Sequence, residues 1–225
     1  MRGYLVMPTK PTVKPASVIV VHENRGLNPY IEDVARRVAK AGYIALAPDG
    51  LSSVGGYPGN DDEGRELQQK VDPQKLMNDF CRRRLYGKAS AGERQSGNNR
   101  FCYGGGVCNA AAVAIPELAC AVPFYGRQPP IADVENPCAA LLHYAELDKP
   151  ITDGWPAYEQ ALKAQHKVFE AYIYPQVNHG FHNDSTPRYD RAAAELAGSE
   201  RWRGLPNISA KRAEIALALA QKIAI

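Results

Sequence analysis

The sequence predicts an α/β domain with a mostly parallel sheet and helices on both faces. Apolar, β-branched runs bounded by turn residues recur at Ser17–Val21, Tyr43–Ala47, Ala119–Tyr125, Ala139–Tyr144 and Val168–Tyr174. Their near-continuous hydrophobicity suits strands covered on both sides. Helical patterns alternate with them at Pro29–Ala41, Pro73–Leu85, Gly106–Ile115, Gly154–Ala164 and Ala210–Ile225, the order that places helices on a parallel sheet.

Local signals support individual elements. Asn28 followed by Pro29, and Asp72 followed by Pro73, each read as an N-cap and a proline at the first helical position. Gly50–Arg65, rich in Gly, Ser and Asp, reads as an irregular segment of the kind that can overlie an active site or be plain surface. The apolar stretch that ends the chain is too short to span a bilayer and reads as a packing helix.

With 225 residues and 45% hydrophobic content, one domain spanning 1–225 is the expectation. No signal-peptide core or membrane-length apolar run is present, so a cytoplasmic protein is expected. The net charge of +3 is concentrated locally: Cys81–Arg100 holds five Arg and one Lys against one Glu. Such a local cluster argues against a general affinity for nucleic acid, and a membrane partner is not expected. The five cysteines (81, 102, 108, 120 and 138) are odd in number and lack CxxC spacing. All but Cys102 read as small buried hydrophobes, with no disulfide framework, zinc site or redox pair.

Chemistry in open α/β sheets gathers at the carboxyl ends of strands. Four residues fall there: Glu23 after the first long apolar run, Cys102 before a glycine turn, Asp148 after Tyr144, and His179 after Tyr174. Nucleophile, acid and histidine stand in the chain order of a hydrolase triad. Cys102 in "CYGGG" precedes a helix start whose positive end favours thiolate, His179 would shuttle the proton, and Asp148 would orient the imidazole. Asp153 and Glu146 are alternative acids, and Asp148 could instead cap the next helix. Backbone N–H groups of Tyr103 and Asn24 are candidate oxyanion donors. His179 with His182 could begin a metal site, but no third ligand has suitable spacing, so neither metal nor cofactor is expected.

At "VVHENRGLNPYIEDVARRVAKAGYIALAPDGL" (20–51), "FCYGGGVCNAAAVAIPELACAVPFYGR" (101–127), "LLHYAELDKPI" (141–151) and "YPQVNHGFHNDSTPRYD" (174–190), the chain resembles the dienelactone hydrolase family. The resemblance implies an α/β-hydrolase fold and the triad Cys102, Asp148 and His179. It also implies that Glu23 helps convert thiol to thiolate. It further implies metal-independent cleavage of a small ester or lactone through an acyl-enzyme, and it favours a monomer.

Three positions depart from the family pattern. Arg100 stands two places before Cys102, where a small residue is usual, and Asn183 stands four after His179, where no arginine is available for a substrate carboxylate. The third is "CRRRLYGKASAGERQSGNNR", which fills the place of an amphipathic helix and an apolar strand. A doubly buried strand built from it would place Arg94 or Arg100 in the core, at a cost of several kcal/mol per unpaired charge. The strand before the nucleophile is therefore expected to be defective, as compensating reading-frame shifts would leave it. A degenerate, inactive family member is the alternative to an active hydrolase.

Overall fold

The computed structural model describes residues 1–10, 15–81, 97–101, 103–115, 118–134, 138–201 and 204. Seven strands, β1 (Gly3–Val6), β2 (Ser17–Val21), β3 (Ile44–Pro48), β4 (Gly97–Phe101), β5 (Cys120–Phe124), β6 (Ala139–Ala145) and β7 (Phe169–Tyr174), form one sheet. Their order is β1-β3-β2-β4-β5-β6-β7, with β1 antiparallel to β3 and every other pairing parallel. Helices α1 (Pro29–Lys40), α2 (Asp61–Lys70), α3 (Pro73–Cys81), α4 (Tyr103–Ala114), α5 (Lys149–Thr152) and α6 (Trp155–Ala164) connect them. Residues 191–201 are also helical.

Strand alternation divides the core. Val18 and Val20 of β2 pack with Ile31, Val34 and Val38 of α1 on one face. Ile19 and Val21 turn to the other face, against Leu76 and Phe80 of α3 and Val107 and Ala111 of α4. Farther along that sheet, Leu142 and Tyr144 of β6 meet Trp155, Tyr158 and Leu162 of α6. All five strands expected from hydrophobicity are therefore present. Both caps behave as read: Asn28 accepts from the Ile31 N–H at 3.1 Å, and Asp72 from the Gln74 N–H at 2.8 Å. Cys108, Cys120 and Cys138 are buried free thiols.

The segment expected to be a defective strand before Cys102 does form a paired strand. β4 occupies the middle of the sheet, paired with β2 from Val18↔Gly97 to Val21↔Arg100 and with β5 from Gly97↔Cys120 to Phe101↔Phe124. Ladder hydrogen bonds are made by backbone groups, which Gly, Asn and Arg supply as well as Val does. An empty slot would strand the facing N–H and C=O groups of two buried strands, a larger penalty than poor β-propensity. Residues 82–96, the remainder of the unusual segment, lie outside the described residues, as does the expected helix at 210–225.

Two further elements were not expected. β1 has only four residues, alternating exposed and half-buried, with Tyr4 and Val6 against the α1-side core. Gly50–Arg65 resolves into a 3₁₀ turn at Gly50–Val54 and the first half of α2. This helix is set by its cap, Asn60 accepting from the Glu63 N–H at 2.9 Å, and by an acidic first turn. Gly64 is its one buried residue, so no apolar stripe announces it.

The glycines after Cys102 are helical rather than left-handed. Their role is close approach. A Cβ on Gly104 would lie 2.7 Å from the His22 carbonyl oxygen, and one on Gly105 would lie 2.6 Å from both Gly126 Cα and the Phe124 oxygen. At Gly106 the nearest atom would be 3.9 Å away. Gly105→Ala should therefore cost about 1–3 kcal/mol through backbone displacement, whereas Gly106→Ala should gain up to about 1 kcal/mol of helix propensity. Urea midpoints at constant m-value measure both effects.

Candidate active site

The loops following β2, β5, β6 and β7 converge at the carboxyl end of the sheet, where an open α/β fold presents reactive groups. Asp148 stands at the N-cap position of α5 but makes no side-chain capping bond. Its Oδ2 instead accepts from His179 Nδ1 at 2.6 Å. With Nδ1 donating, Nε2 of the neutral ring is left as the acceptor. The competing acid Glu146 is engaged elsewhere, accepting from the Gln176 N–H at 2.8 Å, and Asp153 forms the C-cap of α5.

Tyr125, directly after β5, packs its ring against His179 with centroids 4.9 Å apart. Its φ of 38° is unusual for a bulky residue, a form of backbone strain that concentrates around functional clefts. Sequence reading did not single it out. "FYGR" gives no indication of its backbone conformation.

Glu23 is buried beyond the end of β2, its Oε2 accepting from Asn183 Nδ2 at 2.8 Å. Burial raises its pKa above the ordinary 4.5, while the Asn183 bond and the positive charges of Arg25, His179 and Arg188 oppose the shift. Asn183, noted in the sequence for the arginine it replaces, thus acquires a definite role. His22 secures the Glu23 peptide from behind: Nδ1 donates to the Glu23 carbonyl at 2.6 Å, and Nε2 accepts from the Gly50 N–H at 2.9 Å.

The following turn is tied to α2. Asp61 accepts from Arg25 at 2.7 Å, from Asn28 Nδ2 at 3.0 Å and from the Tyr57 hydroxyl at 3.0 Å. Asn24 therefore sits on a braced loop. It and His179 line one cavity of about 670 Å³, together with Tyr125 and residues of α4.

Cys102 lies outside the described residues. Its chain neighbours are placed: Phe101 ends β4 and Tyr103 begins α4, so the Tyr103 N–H belongs to the first turn, where amides lack helical partners. Asp148 and His179 are hydrogen-bonded, and His179 and Asn24 face one cavity, with Glu23 buried beside them. His182 does not join them. Its Nδ1 meets the Tyr30 hydroxyl at 2.9 Å, and burial holds its pKa well below the usual histidine range. Among the described residues, no group of three His, Cys, Asp or Glu side chains is arranged to hold a metal ion. Nor, among them, is any helix long and apolar enough to cross a membrane.

The dienelactone hydrolase family model matches residues 1–203. The chain belongs to this family. It is 30% identical over 239 aligned positions to a "Putative carboxymethylenebutenolidase" of Saccharolobus solfataricus, covering 88% of this chain and 90% of that one. A "Putative hydrolase fragment YghX" of Escherichia coli K12 is 84% identical over 73 residues, 32% of this chain and 62% of the relative. Among solved structures, one described as a "Putative Dienelactone Hydrolase" from Klebsiella pneumoniae superposes with a TM-score of 0.77. That match has 24% identity and covers 91% of this chain and 92% of the other. The protein is thus a dienelactone hydrolase-like hydrolase with the α/β-hydrolase fold.

The buried carboxyl of Glu23 makes a pH-dependent prediction. Because its folded pKa lies above 4.5, its favourable contribution is complete below that value and is lost as pH rises through the raised one. Glu23→Gln should therefore raise the melting temperature at neutral pH. The gain should vanish near about pH 4, where the wild-type group is itself protonated. Thermal unfolding of both proteins across this range is the measurement.

Proposed function

We propose that this hydrolase cleaves a small ester or lactone through a cysteine acyl-enzyme. The observation that carries the reading is the 2.6 Å bond between Asp148 and His179 at the edge of the cavity shared with Asn24. A histidine whose Nδ1 is held by a carboxylate can accept and return a proton at Nε2. Cys102, immediately before the α4 amides, is the nucleophile in this reading.

The Cys102 thiol gives up its proton to the nearby Glu23 carboxylate, which relays it to His179. Burial makes Glu23 a stronger base than an exposed glutamate. The thiolate adds to the ester carbonyl, and the oxyanion is received by the N–H groups of Tyr103 and Asn24. Collapse breaks the carbon–oxygen bond while His179 protonates the departing alkoxide. Water, deprotonated by His179, then attacks the thioester, and the thiolate is expelled with the carboxylic acid as product. For a lactone, the released alcohol remains tethered to the acyl group.

Hydrolysis of p-nitrophenyl acetate tests the assignment. Cys102→Ala should reduce kcat/KM to the background rate, and equal rates in the two proteins would remove Cys102 from the reaction. Asp148→Asn should lower kcat by about a hundredfold or more, as misorientation of a catalytic imidazole does, while Asp153→Asn should have little effect.

The charge-rich stretch at 82–96 supports one second reading, an inactive member that retains the fold. A cooperative thermal transition without esterase activity on any ester would favour it.

A further inference from the structure

The cavity beside His179 continues well beyond the reacting groups. Ala110, Val113 and Ala114 recur at spacings of three and four, so they present one face of α4 to it. Met77, Pro130 and Ile151 supply apolar surface around the remainder. From Gly106 to Ala114 the helix rises about 12 Å, so the lining residues of α4 extend that far from the helix start. The charged lining residues Arg127 and Asp133 are both exposed, and their signs oppose. Among the described lining residues, no buried charge is present to receive an ionic substrate chain.

We infer that this trough binds the acyl group of the substrate, and that the preferred ester carries a linear, uncharged acyl chain of medium length, hexanoyl to octanoyl. This rests on Cys102 as the nucleophile. The acyl group stays bonded to that sulfur through both chemical steps, whereas the alcohol departs after the first. Cys102 directly precedes α4, and the trough follows α4, so the retained group has the apolar wall beside it. Small side chains at positions 110 and 114 leave room that a larger residue would fill.

A p-nitrophenyl ester series from acetate to octanoate should show kcat/KM rising by about twofold to fourfold per methylene, the part of the transfer free energy recovered in a half-open groove. Ala114→Trp should shorten the trough and lower the octanoate-to-acetate ratio at least tenfold. Val113→Trp provides the second obstruction, and melting temperatures verify that both variants fold. An acetate optimum, an unmoved ratio in both folded variants, or a chain-length preference confined to alkyl acetates would overturn the assignment. Calorimetric titration with octanoate supplies a readout independent of turnover: binding with negative heat-capacity change, weakened in Ala114→Trp, supports the trough, and no binding opposes it. Esterase activity unchanged in Cys102→Ala would instead remove the nucleophile reading while leaving the octanoate binding result intact.

Discussion

The arrangement depends on how closely α4 can settle onto the strand ends. Gly104 abuts the β2 carbonyls, and Gly105 lies against Gly126 beyond β5. These contacts are between backbones, with no side-chain layer to absorb a misfit. They set the first turn of α4 beside Glu23 and Asn24 on one side and Tyr125 on the other. Withdrawal of the helix by the thickness of a methyl group would open the cleft at the point where its polar groups meet.

The polar residues around that cleft are mutually committed. Asp148 gives up its capping position to hold His179, Asn183 satisfies a carboxylate that burial would otherwise penalise, and His22 links the Glu23 peptide to Gly50. Each bond answers a desolvation cost imposed by its position. The group that remains least comfortable is Glu23, whose raised pKa records incomplete compensation.

Much of this was legible in the residue order. Hydrophobic runs located five strands, four of them covered on both faces and β7 a half-buried edge strand, and Asn28 and Asp72 located helix starts because caps are local. The candidate acid and histidine were readable as residues following strands. Other features were hidden for physical reasons. β4 is specified by the vacancy between β2 and β5 more than by "GNNRF", and α2 has a single buried residue and hence no periodic signature. Tyr125 acquires its conformation, and Asn183 its partner, from tertiary contacts far apart in the chain.

The brace at Asp61 has a dynamic consequence. Its carboxylate belongs to a largely solvent-exposed helix, yet it fastens Arg25 and Asn28 on the turn carrying Asn24. Little apolar burial secures α2, with Gly64 buried and Leu67 packed only in part on the core, and low burial is the mark of segments that open locally. When α2 frays at its amino end, the turn loses its fastening in the same event. The position of one wall of the cleft thus rests on a helix that buries little of its own surface.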